Sequence, residues 1–352
     1  MAEVRPFRAL RYDEEVAGPL ETLVAPPYDV IADDERAGYL ERSAYNVVRL
    51  TLPDSEEQAA NDFRDWSERG VLRAEEPSFW SLEQQYVGPD GVERIRHGIV
   101  ASLRAEPYDR GVVLPHERTH REPKEGRLRL VQAVGAVLEP IFLLHEGPPP
   151  VGRPQGEPLL ETDGTRLWRL TEVDGIVEAF RSRPLLIADG HHRYETALEY
   201  ADQGGSPWLM VVLVSTTDPG LTIFPTHRLA ATFDATDALR PAVESDPLRA
   251  LEALPDDRAA FVVYTRAGTF QAEAEAQLGT QLVESLAPDV SYTASAEDAV
   301  AAVNEGRAAA AFLLPPTRID DVFAVARRGD VMPPKSTYFY PKLLSGLLFH
   351  PL

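Results

Sequence analysis

Asp189-Gly190-His191-His192-Arg193 puts a carboxylate, a glycine, two imidazoles and a guanidinium in five consecutive positions. The residues before it, Leu185 to Ala188, form a short apolar run of the kind that makes a fully buried strand. Those after it, Tyr194, Ala197, Leu198 and Ala201, recur at helix-face spacing. The five polar residues therefore belong on a strand-to-helix turn, at a helix N-terminus. Gly190 permits a sharp turn and close backbone approach to a ligand. Free N–H groups and the positive end of the helix dipole favour an anion there, and imidazole and guanidinium donors suit phosphate oxygens. The plainer alternative is a hydrated turn whose histidines cap the helix and whose arginine makes an ion pair. Five suitable residues in a row at such a junction favour the phosphate site.

A second polar stretch runs from Pro115-His116-Glu117 through Lys124 to Gly126-Arg127. Between Leu114 and Arg127 it holds two histidines, three arginines, a lysine and three glutamates. It lies between apolar Val112–Leu114 and the apolar run from Val131 to Leu144, and its pattern suits a solvated loop and a functional loop equally. Two smaller groups follow: Thr226-His227-Arg228 after an apolar run, and Lys335-Ser336-Thr337 in an aromatic-rich end segment. Adjacent histidines at a helix start point in different directions, and no His-Glu-x-x-His spacing exists. A metal centre built from His116, Glu117, His191 and His192 is therefore not expected, and no direct metal ligand is assigned.

The elements that must position these groups read as mixed α+β. Ser55 can cap an amphipathic helix reaching Arg69, with Ala59, Phe63 and Trp66 on one face. Phe79–Val87 and Glu93–Leu103 flank Gly88-Pro89-Asp90-Gly91, a strong hairpin signal. Tyr45 to Leu50 is strand-like, as are Pro140 to Leu144 and Trp208 to Ser215. Gly147 to Gly164 is rich in Pro and Gly and reads as a long loop or boundary. From Asp234 a further α+β portion follows, with a hairpin at Arg266-Ala267-Gly268, and the aromatic-rich end should pack rather than stay exposed.

Composition limits the functions. The chain has 352 residues, 44% hydrophobic and 26% charged, with a formal net charge of −21. That charge repels nucleic acid and anionic membranes, and no apolar run has membrane-spanning length. Cysteine is absent, which excludes disulfides and thiolate catalysis. No apolar leader core opens the sequence, so a cytoplasmic location is expected.

The Asp-Gly-His-His-Arg turn resembles the signature turn of the ParB/sulfiredoxin-like superfamily, and most closely that of its free-serine kinases. Across nearly the whole chain, Ala25-Pro26-Pro27-Tyr28-Asp29-Val30-Ile31, Asn46 with Arg49-Leu50, Pro115-His116-Glu117, Pro140-Ile141-Phe142, Ile187–Tyr194, Phe224–Arg228 and Met332–Gly346 resemble domain-of-unknown-function family 1015. Members of that family are often labelled ParB-like. Gly126 departs from it, standing where Asp is expected.

The resemblance implies a ParB/sulfiredoxin-like nucleotide-binding core over residues 105–230, with a loop insertion at 147–164. It would be flanked by an N-terminal α+β lobe (1–104) and a C-terminal one (231–352). It further implies a kinase using ATP or ADP with Mg²⁺ on a small hydroxyl substrate, free L-serine first. Asp189, Gly190, His191, His192 and Arg193 would then hold the nucleotide, and Glu117, beside His116, would be the catalytic base. Lys124 and Arg127 would balance charge in the transition state. Thr226, His227, Arg228, Lys335, Ser336 and Thr337 would bind substrate or phosphate. A nucleotide and a small molecule are the expected partners, with a homodimer as an option and neither nucleic acid nor membrane. The rival is a ParB-like nucleotide switch without kinase activity, but no helix-turn-helix is legible.

Overall fold

The computed structural model describes the chain except residues 118–120, 172, 235–238, 256–258, 275–278 and 288. It is a mixed α+β protein of two compact units. The first comprises Met1–Gly88, Glu93–Leu221 and Pro341–Leu352; the second comprises Pro89–Val92 and Thr222–Tyr340. Among the described residues no helix is long and apolar enough to cross a membrane.

The first unit is built on a nine-stranded mixed sheet. Its order is Val113–Leu114, Leu185–Asp189, Ile141–His145, Trp208–Ser215, Glu93–Arg104, Trp80–Val87, Thr165–Arg169 and Leu160–Thr162, with Val4–Arg5 also paired to Glu93–Arg104. Leu185–Asp189 is parallel to Val113–Leu114 and antiparallel to Ile141–His145. Alternation places Ile99, Ala101, Leu103, Leu185, Ile187, Leu209, Val211 and Leu213 in one buried cluster with Phe180 and Tyr194. Helix Glu56–Glu68 packs on Arg121–Val134, which packs on His191–Asp202.

This sheet bears on the three-part division read from the sequence. The second half of Glu93–Arg104 pairs with Trp208–Ser215, from Arg104 opposite Trp208 to Ile99 opposite Leu213. A boundary at residue 105 would cut between strands of one sheet. The Pro- and Gly-rich run after Gly147 likewise leads to Leu160–Thr162, an edge strand of that sheet.

The second unit carries a six-stranded sheet in the order Arg240–Pro241, Gly268–Ala274, Ala259–Thr265, Ala310–Leu313, His227–Ala230 and Val290–Thr293. Both faces are covered. Phe261, Val263 and Phe312 pack with Val283 on one, and Val262, Ala311 and Leu313 pack with Ala299 and Ala302 on the other.

Local reading succeeded where pattern and capping agree. Ser55 caps Glu56–Glu68 by accepting from the Gln58 N–H at 3.1 Å, and Ala59, Phe63 and Trp66 are buried. Both hairpins form. Tyr45 to Leu50 is the exception, because Val48–Thr51 is a helical turn. The Asn46 side chain accepts from the Val48 N–H at 3.0 Å and donates to the Thr22 carbonyl at 2.8 Å. An Asx-type bond therefore overrides the β-preference of Val47-Val48.

Candidate functional site

The strand Leu185–Asp189 enters the turn through an irregularity. Its register against Ile141–His145 shifts between Ile187 and Asp189, and such a bulge re-aims the side chain that follows it. Gly190 then adopts φ 96° and ψ 30° as the N-cap of helix His191–Asp202. That left-handed conformation suits glycine, and a Cβ there would lie 3.1 Å from the Arg193 guanidinium.

Asp189 is held by two cations. Arg193 donates from Nη2 to Oδ2 at 2.6 Å, and Lys342 Nζ pairs with Oδ1. Burial would raise the Asp189 pKa, but Lys342 and Arg193 outweigh it and hold the carboxyl below its ordinary range. Arg193 also donates from Nη1 to the Pro140 carbonyl. Burial disfavours the Arg193 charge, yet Asp189, Asp29 and Glu139 overcome that and push its pKa up. Its Nε is buried without a hydrogen-bond partner among the described residues.

The parallel pairing of Val113 with Leu185 and Leu114 with Leu186 sends both strands out on the same side. His116, two residues past its strand, therefore arrives beside the Asp189 turn. The His116 N–H donates to His191 Nε2 at 3.3 Å, and His116 Nδ1 donates to the Ile187 carbonyl at 2.8 Å. The two rings meet edge to face with centroids 4.7 Å apart. Burial drives the pKa of His116 down to about 4 and that of His191 well below its usual value. Both are neutral at physiological pH. Because His191 Nε2 accepts, its proton sits on Nδ1, a donor suited to an anionic oxygen. Glu117 follows His116 directly and is half-buried; Arg118, Thr119 and His120 lie outside the described residues.

The structure thus brings together two segments about 75 residues apart in sequence. Lys124 takes a different place from the one its charge suggested. From helix Arg121–Val134 its Nζ reaches Glu199 at 3.0 Å and Glu195 at 3.9 Å, both on helix His191–Asp202. Arg127 stacks over the Tyr28 ring at 3.6 Å and donates to the Thr51 carbonyl at 2.6 Å. Its Nη1 is 3.9 Å from Glu139, whose buried carboxylate accepts from the Tyr28 N–H at 3.0 Å and the Ser345 hydroxyl at 2.9 Å. Lys124 and Arg127 therefore brace the helices and the Pro-Pro-Tyr-Asp segment behind the turn.

The remaining expected residues belong to the second unit. His227 is buried and accepts the Leu314 N–H on Nδ1 at 3.2 Å. Arg228, also buried, donates to the carbonyls of Thr226 at 2.9 Å and Pro334 at 3.4 Å. The Ser336 hydroxyl donates to the Pro333 carbonyl at 2.7 Å, its own carbonyl accepts from Thr317 at 2.7 Å, and Thr337 follows it half-buried. Lys335 between them is exposed, at φ 56°.

Lys342 is the residue that reading by motif missed. A compositional signal was available: of the 35 Lys and Arg residues, the lysines are Lys124, Lys335 and Lys342, each inside a singled-out segment. Among the described residues no group of three or more His, Asp or Glu is placed to hold a metal ion.

Known structures resemble this chain only distantly. A free serine kinase in complex with AMP aligns at 15% identity and TM-score 0.42, over 71% of this chain and 92% of that one. SbnI with C-terminal truncation from Staphylococcus aureus aligns at 12% identity and TM-score 0.39, over 68% and 84% respectively. No curated protein matches the sequence. The family model described as "Protein of unknown function (DUF1015)" matches residues 4–292, and the chain belongs to that family.

Proposed function

We propose that this chain is a phosphotransferase that moves the terminal phosphoryl group of ATP or ADP to the hydroxyl of a small molecule, with free L-serine the first acceptor to test. The observation that carries this reading is the meeting of His116, which Glu117 follows directly, with the Asp189–Arg193 turn. The segment that would carry the base and a helix N-terminus, whose free N–H groups favour anions, follow the ends of two parallel strands. Serine rests on the resemblance of the turn to that of free-serine kinases.

Phosphoryl transfer asks the protein for positioning and charge neutralisation more than for covalent chemistry. The first-turn N–H groups of helix His191–Asp202, the His191 Nδ1–H and His192 would bind phosphate oxygens. Glu117 would take the acceptor's proton as its oxygen bonds to phosphorus. The bond to the nucleotide's bridging oxygen breaks in the same displacement, so ATP leaves as ADP, or ADP as AMP. The donor set fits a Mg²⁺ carried by the phosphates rather than a resident ion, since both Asp189 oxygens are engaged. Bound there, the ion would neutralise phosphate charge.

The test is a transfer assay with purified protein, Mg²⁺, ATP or ADP, and a panel of free amino acids. Phosphoserine should form with serine. Turnover should fall by about 10²-fold or more in Glu117→Gln while nucleotide binding persists. Saturable nucleotide binding with no transfer to any acceptor would overturn the kinase reading in favour of a switch.

A further inference from the structure

We infer that Lys342 is a ligand of the nucleotide's terminal phosphate, delivered to the turn by a backbone segment fixed for that purpose. The inference rests on the phosphotransferase reading and adds to it a residue from the far end of the chain.

Charge at the turn is the first observation. Asp189 carries one negative charge and contacts two cations on separate oxygens at a helix N-terminus. The cations differ in access: the Arg193 side chain is 9% exposed and the Lys342 side chain 22% exposed. Arg193 is further tied to the Pro140 carbonyl, so Lys342, the more exposed of the two, is the cation an incoming anion reaches first. The buried Arg193 Nε, unpartnered among the described residues, lies beside Gly190 and adds a second sign of an unmet acceptor.

The supporting architecture is the second observation. Arg96 is 1% exposed, a costly place for a guanidinium, and burial pulls its pKa down to about 10. It stacks over Phe142 at 4.5 Å and donates from Nη2 to the Pro341 carbonyl at 2.7 Å and to Gln84 Oε1 at 2.5 Å. Gln84 in turn donates to the Lys342 carbonyl at 3.2 Å. Two consecutive carbonyls flanking the Lys342 side chain are thus pinned by a buried pair from neighbouring strands. A side chain serving only as surface charge needs no such support.

The choice of residue is the third. This chain uses arginine almost everywhere, and arginine would grip Asp189 with both arms. A lysine is a compact point charge on a flexible stem. It can exchange one carboxylate oxygen for a phosphate oxygen while Arg193 keeps Asp189 neutralised.

Two measurements test this. Lys342→Met should bind ATP about 10-fold more weakly than the wild type but AMP within about 2-fold, and should lose on the order of 10²-fold in transfer. In the wild-type protein, ATP and not AMP should protect Lys342 from acylation by an amine-reactive ester, read by mass spectrometry; this needs no variant to fold. Unchanged ATP-to-AMP preference in Lys342→Met, or equal labelling with ATP and AMP, would reduce Lys342 to a structural ion pair. Wild-type nucleotide binding without transfer from either ATP or ADP would defeat the phosphotransferase reading while the ATP-against-AMP comparison still judged Lys342. No nucleotide binding at all would defeat both.

Discussion

The His116 backbone N–H donates to His191 Nε2 at 3.3 Å, while the His116 ring donates to the Ile187 carbonyl at 2.8 Å. One histidine is thereby locked against the strand and the other is set in a single tautomer, with its N–H on Nδ1. The pair works only while both rings are neutral, because a proton on His191 Nε2 would face the His116 N–H directly.

That requirement predicts acid sensitivity. His116, His145 and His350 in the first unit and His227 in the second are each driven by burial to a pKa of about 4. Unfolded histidine titrates near 6.5, so above that pH both states are neutral and the folded state keeps its full stability. Between about 6.5 and 4 the unfolded chain takes up protons that the native protein refuses. Stability should fall by about 1.4 kcal/mol per pH unit for each such histidine. Urea unfolding at pH 7.5, 6 and 5 measures this, and a flat profile would contradict neutral buried rings.

Gly190→Ala should damage the turn itself. A left-handed alanine costs about 1–2 kcal/mol, and the new methyl would press on Arg193 at 3.1 Å. Thermal melting should shift down by several degrees, and nucleotide affinity, compared at equal folded fraction, should drop as well. An unshifted melt would mean that the turn relaxes freely.

Arg127→Leu separates bracing from ligand binding. The arginine stacks on Tyr28 and serves Thr51 and Glu139, so its loss takes a nearby counter-charge from a buried carboxylate and a donor from a buried carbonyl. Destabilisation of about 2–4 kcal/mol is expected, with nucleotide affinity of the folded fraction changed by less than about 3-fold. A large affinity loss without destabilisation would restore Arg127 to the phosphate site.

Lys124→Met should be mild. Its ion pairs with Glu195 and Glu199 are partly solvated, which limits their worth to about 0–1 kcal/mol. A transfer assay with this variant should stay within a few-fold of wild type. Collapse of turnover in a stable Lys124→Met protein would place the lysine at the chemistry instead.

The sequence alone determined what depends on neighbours along the chain. The apolar run, the glycine and the helix-period residues around Asp189 specify a strand, a left-handed turn and a helix within a dozen positions. Ser55 with its amphipathic run and the glycine-bearing hairpins are legible for the same reason: steric preference, capping and period act over short range. Tyr45 to Leu50 escaped because a four-residue helical turn is too short to show a period, and its capping asparagine looks like any polar residue.

Tertiary structure decided which of these pieces meet. Lys342 and Asp189 are 153 positions apart, and no local pattern names one as the other's partner. Strand order and parallel register bring His116 to the turn. The same packing turns Lys124 and Arg127, equally basic in sequence, toward glutamates and backbone behind it. A cation's role follows from which carboxylate or carbonyl it meets, and that is settled by long-range pairing whose energy appears only once the sheet has formed.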